Sequence, residues 1–244
     1  MFSSLEGKWE GHKLVFFSTA QQHVWYGLAG VDVEAIPGNH TLALQATMPD
    51  GRVITVTREI IVRPSVHKVI ALKVPERFVQ PDAETLKRIE SDQDVKRKAF
   101  SRQTAAPEWS GTFHAPLNST VSEAFGTWRT FNGKLASIHR GLDYRAKEGT
   151  PVLAANAGTV VLARELFYEG NCVIIDHGQQ FMTLYMHLSQ VQVAEGDRVK
   201  EGDQIGLSGA TGRATGPHLH VAARWQGAYL DPAQLWKLSL PERR

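Results

Sequence analysis

Two short patterns in the second half of the chain contain residues that could bind a metal ion. In the first, His139-Arg140-Gly141-Leu142-Asp143, an imidazole and a carboxylate lie four positions apart. In the second, His218-Leu219-His220, two imidazoles lie two positions apart. Each pattern alone is weak evidence, because a 244-residue chain with ten histidines produces such spacings by chance.

Strand geometry strengthens the case for one shared site. Residues i and i+2 of a strand face the same side, so His218 and His220 would point the same way. Positions i and i+4 also share a face if the segment from His139 to Asp143 is extended. Two such strands side by side would bring two imidazoles and a carboxylate to one point. These ligands suit zinc, and three protein ligands leave a fourth position for water, as in catalytic zinc sites.

The composition excludes several kinds of metal site, binding partner and protein class. Hydrophobic residues make up 42% of the chain and charged residues 21%, which is the balance of a folded globular protein. The one cysteine, Cys172, excludes an intrachain disulfide and a thiolate-rich zinc site, so histidines and carboxylates must hold any metal. A net charge of +2 without a dense Lys/Arg cluster indicates no nucleic-acid partner. No apolar run approaches the roughly 20 residues that span a bilayer, so we expect no transmembrane segment.

Strands are the elements that must position the two patterns. From Gly111 onward, short apolar runs separated by turn residues predict β-structure, and Gly206 to Pro217 is a glycine-rich loop that we expect to form one wall of a groove. The predicted strands are Pro151–Ala154, Gly158–Ala163, Cys172–Asp176, Phe181–His187 and His218–Trp225.

The first part of the chain also predicts strands. The turn residues Pro49-Asp50-Gly51 lie between two β-type runs, which indicates a hairpin. An immunoglobulin-like β-sandwich is the interpretation that we favour for this half. The predicted strands are His12–Phe17, Val24–Leu28, Val31–Ile36, Thr41–Ala46 and Val53–Thr57.

A charged segment separates these two β-rich parts. Asp82 is a good helix cap, and residues 83–100 are rich in Glu, Lys and Arg with few apolar positions. This composition predicts a solvated helix between two domains. We therefore divide the chain into a β-sandwich-like N-terminal domain at 1–75, a helical linker at 76–107 and a second β domain at 108–244.

Several motifs together resemble the lysostaphin-type, or LytM-domain, zinc metalloendopeptidase family. The resemblance covers about Phe113 to Pro232, and its motifs agree with the family in order and spacing. They are His139 to Asp143, Gly149-Thr150-Pro151-Val152, Thr183-Leu184-Tyr185-Met186-His187-Leu188-Ser189, Val193 to Gly202, Gly206 to Pro217 and His218-Leu219-His220.

The resemblance implies roles for five residues, and all five positions match the family pattern. His139, Asp143 and His220 are implied to bind zinc, and His187 and His218 to flank the bound water. The implied fold is a compact antiparallel β-structure with an open groove lined by loops, so residues 108–244 would be a zinc peptidase domain. The whole chain is then expected to be mostly β.

The chemistry expected of such a site follows from general principles. Zinc lowers the pKa of a bound water and polarises a scissile carbonyl. Since the chain has no H-E-x-x-H motif, no glutamate base accompanies the ligands. His218 could take or return a proton, and His187 could hold the developing oxyanion or share the proton transfers. Which histidine does which stays open.

The expected function is hydrolysis of peptide cross-links in bacterial peptidoglycan, with zinc as cofactor and wall peptides as partner. One alternative is a non-catalytic member of the same fold that binds the wall or activates another hydrolase. A lipoyl- or biotin-like carrier, with Lys200 as the modified residue, is a weaker alternative because it leaves the histidines unexplained. The substrate implies an exported protein in the periplasm or cell envelope. The bond cleaved, the oligomeric state and any inhibitory role of the N-terminal domain stay open.

Overall fold

The N-terminal part is a single antiparallel sheet of five strands. The computed structural model describes residues 2–18, 24–65 and 67–241 of the chain. The strands are β1 (Ser4–Trp9), β2 (His12–Ser18), β3 (Trp25–Gly27), β4 (Gly38–Thr47) and β5 (Val53–Val62), in the spatial order β3-β2-β1-β4-β5. The hairpin predicted around residues 49–51 is confirmed: β4 pairs with β5, and Thr47 faces Val53.

Two N-terminal predictions differ from the structure. The immunoglobulin-like sandwich is not confirmed, because the described N-terminal strands form one sheet and not two facing ones. The strand predicted at Val31–Ile36 is wrong, because this segment forms a turn. The Asp32 carboxylate accepts a hydrogen bond from the Glu34 amide at 2.8 Å, and the Asp32 carbonyl accepts one from Ala35 at 3.0 Å. Such local bonds offer the backbone an alternative to strand pairing.

The connecting segment contains a strand and a long helix. Strand β6 (Val69–Leu72) is followed by a 3-10 turn at Glu76–Phe78 and by helix α1 (Ala83–Phe100). The predicted cap is confirmed, since the Asp82 carboxylate accepts a hydrogen bond from the Thr85 amide at 2.8 Å. Within the described ranges, no helix combines the length and apolar character needed to cross a membrane.

The C-terminal part is a large, mainly antiparallel sheet. Its central order is β15-β12-β13-β14-β17-β10-β7, with β11, β16 and β18 paired at its margins, while β6, β8 and β9 form a separate small sheet. The elements are β7 (Val121–Glu123), β8 (Trp128–Phe131), β9 (Leu135–Ile138), β10 (Leu142–Arg145), β11 (Pro151–Leu153), β12 (Gly158–Leu166), β13 (Gly170–Asp176), β14 (Phe181–Val191), β15 (Arg198–Val199), β16 (Gln204–Ser208), β17 (His218–Trp225), β18 (Ala228–Leu230) and a short helix α2 (Pro232–Leu235).

Contacts cross both predicted domain boundaries, and the division at 75 and 107 stays a prediction. Strand β6 pairs in parallel with β8, so Val69 faces Trp128 across the first boundary. Helix α1 packs on β12, and its Ala99 is buried with residues of the large sheet. The helix is thus fastened to the C-terminal part through one face, while most of its residues are exposed, as its composition predicts.

One hydrophobic core joins the N-terminal sheet to the large sheet. Trp9 and Leu14 are buried in the same cluster as Trp109 and Phe113. The Trp9 indole nitrogen donates a hydrogen bond to the Gly30 carbonyl at 2.6 Å. The apolar face of the N-terminal sheet is therefore covered by the C-terminal part, and no second N-terminal sheet is needed to bury it.

We predict that Trp9→Ala destabilises the whole protein. The indole is only 3% exposed, and its removal leaves a cavity that costs about 3–5 kcal/mol of unfolding free energy. Urea unfolding followed by the near-UV signal of the aromatic residues measures this loss. Ile61→Ala is the matched control in the same sheet; that side chain is 70% exposed, so its change should be below about 0.5 kcal/mol. An unchanged midpoint for Trp9→Ala would contradict the shared core.

Candidate metal centre

The register of two neighbouring strands places a carboxylate opposite an imidazole. Strands β10 and β17 pair antiparallel, with Asp143 facing His220 and Arg145 facing His218. His218 and His220 are two positions apart on β17 and share a face, as predicted. The expected juxtaposition of the two patterns is therefore present.

His139 reaches the centre by a different route from the one expected. It lies in the irregular segment between β9 and β10, so His139 and Asp143 are not positions on one extended strand. Gly141 makes the approach possible, because a Cβ there would lie 2.3 Å from the Val221 carbonyl oxygen and 2.6 Å from His220 Nε2. Only glycine lets the backbone pass this close to β17.

Three donor atoms converge at the centre. His139 Nε2 lies 3.0 Å from Asp143 Oδ1 and 2.9 Å from His220 Nδ1, and His220 Nδ1 lies 2.7 Å from Asp143 Oδ1. All three side chains are buried. His139 Nδ1 donates to the Ala124 carbonyl at 2.8 Å, which turns Nε2 toward the other two atoms. A metal-binding histidine is usually oriented by such a bond from its second nitrogen.

Burial and hydrogen bonding act on the charges of this centre. Burial by itself would raise the pKa of Asp143, but hydrogen bonds from His139 and His220 outweigh it and hold the pKa well below the ordinary carboxyl value. Burial lowers the pKa of His220 to about 4, against the opposing hydrogen bond to Asp143. At neutral pH the pair is therefore an ionised carboxylate and a neutral imidazole, the forms that coordinate metals.

Arg129 and Glu123 surround the carboxylate and were not identified as part of the site from the sequence. The Arg129 guanidinium bonds Asp143 Oδ2 and the Glu123 carboxylate. Arg129 is therefore a support for Asp143. Asn132 bonds the backbone amide and carbonyl of Val74 and belongs to the small sheet. No signal in the sequence shows that Arg129 supports Asp143 or that Asn132 supports the small sheet.

Two further histidines stand beside the three donors. The rings of His187 and His218 have centroids 4.7 Å apart, and His218 Nε2 lies 3.9 Å from Asp143 Oδ1. His187 Nδ1 donates to the Thr211 carbonyl and His218 Nδ1 to the Gly216 carbonyl, both at 2.8 Å. Because a carbonyl only accepts, each Nδ1 carries the proton and each Nε2 is left as a potential acceptor in the neutral ring.

His187 has an uncommon backbone conformation and a lowered pKa. Its φ of +63° lies in the left-handed region, which residues other than glycine and asparagine seldom adopt. The register of β14 against β13 shifts around this residue, and the His187 amide bonds the Glu169 carbonyl at 2.8 Å. Burial, together with the nearby His218 and His220, lowers the pKa of His187 to about 3. Strained, buried and neutral groups of this kind are concentrated at functional sites.

Two cavities meet at the centre. An open groove of about 770 Å³ is lined by Asp143, Lys147, His218 and Thr215 to Pro217, so the glycine-rich loop forms part of the groove wall, as predicted. A smaller pocket of about 200 Å³ is lined by His139, His187 and His220. A chain lying in the groove would thus pass Asp143 and His218, and the other three predicted site residues line the smaller pocket.

Two residues outside the centre are structural. The ring of His177 is fully buried and forms hydrogen bonds with the Ala157 carbonyl at 2.7 Å and with Thr183 Oγ1 at 2.8 Å, and burial lowers its pKa to about 4. Cys172 is buried in β13, and burial raises the pKa of its thiol well above the ordinary value, as is usual for an unreactive core cysteine.

Known sequences resemble this chain most strongly around the metal centre. Residues 137–232 match the model described as peptidase family M23. ShyA, a peptidoglycan DD-endopeptidase of Vibrio cholerae, is 44% identical over 149 residues, which are 61% of this chain and 32% of that protein. Mpg, a DD-carboxypeptidase/endopeptidase of Neisseria meningitidis, is 39% identical over 128 residues, which are 52% of this chain and 27% of that protein. The chain spans less than a third of the length of these curated relatives.

A solved structure resembles the chain over nearly its whole length. A crystal structure from Pseudomonas aeruginosa, described as a candidate peptidase M23, superposes with a TM-score of 0.73 at 27% identity. The match covers 95% of this chain and 87% of that one, so it includes the N-terminal sheet and the helix as well. His139, Asp143, His187, His218 and His220 all lie within the matched family region. Residues 137–232, which carry the five predicted site residues, are therefore similar to peptidase family M23.

Proposed function

We propose that this chain is a zinc metalloendopeptidase that hydrolyses peptide cross-links of bacterial peptidoglycan. The observation that carries the proposal is the convergence of His139 Nε2, His220 Nδ1 and Asp143 Oδ1 beside an open groove. Two more histidines, each with an acceptor nitrogen available, stand next to these atoms. The match of residues 137–232 to peptidase family M23 and a relative named as a peptidoglycan DD-endopeptidase support the same function.

Zinc fits the donor set. Two imidazole nitrogens and one carboxylate oxygen are a common ligand set of catalytic zinc, and three protein ligands leave a coordination position open. The bond from His139 to the Ala124 carbonyl and the bond from Arg129 to Asp143 leave one atom of each residue directed to the centre. His139, Asp143 and His220 would hold the ion, which when bound supplies a water of lowered pKa and polarises an amide carbonyl.

The remaining residues of the site would move protons and stabilise charge. His218 Nε2 can accept the proton of the attacking nucleophile and later return it to the leaving nitrogen. His187 Nε2, once protonated, can donate a hydrogen bond to the oxygen that gains negative charge, or it can share the proton transfers. The low pKa of Asp143 keeps that residue ionised, so it is a ligand and not a general acid.

The site suits an amide better than a glycosidic bond. Glycosidases of the usual kind need two carboxylates flanking an acetal, whereas here Asp143 is the one carboxylate among the converging donors. Among peptide bonds, we favour D-alanyl–diaminopimelate, because family members with a β-domain and a helix ahead of the peptidase resemble envelope enzymes of Gram-negative type. Such a substrate implies an exported protein of the periplasm or cell envelope. A non-catalytic, wall-binding or activating role is the second candidate; the complete donor set argues against it.

Metal content is the first test. The purified protein should hold close to one zinc per chain, and Asp143→Ala or His220→Ala should lose it, because two ligands do not hold a catalytic zinc firmly. His114→Ala is the matched control, since that histidine is exposed and pairs with Glu201 away from the centre. Elemental analysis that finds full zinc in both folded ligand variants would refute the assignment.

Variants of the two flanking histidines should distinguish zinc binding from catalysis. His187→Ala and His218→Ala should keep zinc but lose turnover by about a hundredfold or more, the usual scale of proton-transfer and oxyanion contributions. Zinc content and circular dichroism of each variant accompany the rate measurement. Loss of zinc from a correctly folded variant would mean that the residue is a ligand.

Digestion of purified sacculi tests the substrate. The chain should release new amino groups and reduce the amount of cross-linked dimers, because it attacks peptide bonds and leaves the glycan intact. Asp143→Ala provides the inactive control in the same assay. New reducing sugar ends with intact cross-links would contradict the proposal, and binding to sacculi without any cleavage would favour the non-catalytic role.

A further inference from the structure

The smaller cavity beside the metal centre is rich in arginine. We call it the arginine pocket; it shares its lining with the centre through His139 and His220. It has a volume of about 200 Å³, and its lining includes Arg129, Tyr168, His187, Arg213 and His220. Because three of the site histidines form one of its walls, any group bound in this pocket lies next to the reacting position.

Arg213 is the cation in this pocket that is held by aromatic rings instead of by an ion pair. Its guanidinium carbon lies 4.3 Å from the ring centroid of Phe131 and 4.6 Å from that of Tyr168, so the group is stacked between two aromatic rings. Within the described part of the chain, no carboxylate is within ion-pair distance of it and no acceptor takes its N–H groups. A guanidinium held in this way keeps its hydrogen-bonding edge available for a ligand.

The other charges of the pocket are already compensated. Arg129 bonds Asp143 and Glu123, and Arg140 bonds the Glu34 carboxylate. Glu169, the carboxylate of the lining, is paired with Lys96 of helix α1. Arg213 is therefore the cation of the lining that forms no ion pair with a described residue, and the charge of Glu169 acts on it only from a longer distance.

The backbone that carries Arg213 is tightly fastened. The Arg213 amide donates to the Tyr168 carbonyl at 2.8 Å, and the Asn171 amide donates to Thr211 Oγ1 at 2.9 Å. Gly212 has a φ of +70°, and a Cβ there would lie 2.2 Å from the Gly170 nitrogen. The loop is thus held against the turn before β13, and the position of the guanidinium is set before any ligand arrives. Such preorganisation reduces the entropy lost on binding.

We infer that Arg213 binds a substrate carboxylate adjacent to the scissile bond. The inference rests on the proposed function and specifies its substrate class. A guanidinium matches a carboxylate in a bidentate arrangement, and in a partly buried pocket this charge-assisted contact is strong. The small volume of the pocket limits the ligand to one residue or less, so the carboxylate must belong to the residue at the cleaved bond.

The requirement for a carboxylate next to the cleaved bond is met by some wall peptides and not by others. In a D-alanyl–diaminopimelate cross-link, the carbon that bears the leaving nitrogen also bears a free carboxylate. A terminal D-alanyl-D-alanine offers the same chemistry, because its leaving residue ends in a carboxylate. An internal glycine bridge has none. The arginine pocket therefore favours leaving groups that carry an α-carboxylate, whether they belong to a cross-link or to a chain terminus.

The test compares two cross-linked peptides that differ only in the charge of this carboxylate, together with a third peptide that ends in a carboxylate. Three synthetic peptides are used: a D-alanyl–diaminopimelate cross-link with a free carboxylate, the same cross-link with that carboxylate amidated, and a terminal D-alanyl-D-alanine. For the unmodified protein, kcat/KM should be about tenfold to hundredfold higher for the acid cross-link than for the amide. Arg213→Gln should remove this preference by slowing the acid cross-link alone. Cleavage of the third peptide distinguishes a terminal carboxylate from one in a cross-link.

Arg224→Gln is the matched control. Its guanidinium is also stacked on an aromatic ring, 4.1 Å from the centroid of Phe100, but it lies outside the pocket. The acid preference should persist in this variant. An equal loss on acid and amide in Arg213→Gln would overturn the inference, because a merely structural role affects both substrates alike. An unchanged acid preference in Arg213→Gln would overturn it as well.

Failure of the proposed function can be recognised separately. If the unmodified, zinc-loaded chain cleaves none of the peptides, calorimetry on the same preparation measures binding of the uncut acid and amide cross-links. Tighter binding of the acid, lost in Arg213→Gln but not in Arg224→Gln, supports the pocket assignment in a non-catalytic protein. Equal binding of acid and amide overturns it.

Discussion

The pairing of β10 with β17 is the constraint on which the site depends. Because Asp143 faces His220 in this register, a carboxylate and an imidazole meet across neighbouring strands. A slip of one residue would turn each side chain to the opposite face of the sheet and disperse the donors. Gly141 preserves the register from outside the strand, since any side chain there would collide with the backbone of β17. The rest of the sheet holds these two strands rigidly in place.

Backbone carbonyl groups around the centre orient the histidine rings. Backbone carbonyls of Ala124, Thr211 and Gly216 each accept a hydrogen bond from one histidine and so determine which ring nitrogen faces the cavity. The carbonyl of Thr211 comes from the same loop that carries Arg213. His187, which we propose to take part in catalysis, and Arg213, which we propose to recognise the substrate, are therefore positioned by one loop. Preorganised groups of this kind need little rearrangement during reaction.

The N-terminal sheet contributes stability more directly than a tethered domain would. Its apolar face closes the core around Trp109 and Phe113, and helix α1 reaches the site region through the ion pair of Lys96 with Glu169. The first strand of the small sheet, β6, pairs with β8, which carries Arg129 beside the metal ligands. Changes in the N-terminal half can thus reach the centre through contiguous packing.

The sequence by itself determined the donor residues, the hairpin at residues 49–51 and the helix after Asp82, because each depends on local spacing or local hydrogen bonding. Tertiary structure decided what depends on distant contacts. Val31–Ile36 is a turn because local bonds to Asp32 replace strand pairing. The N-terminal sheet has no facing partner sheet of its own because the C-terminal part covers it. Arg129 supports Asp143, and Arg213 lies unpaired between two rings, because their partners come from other strands and turns.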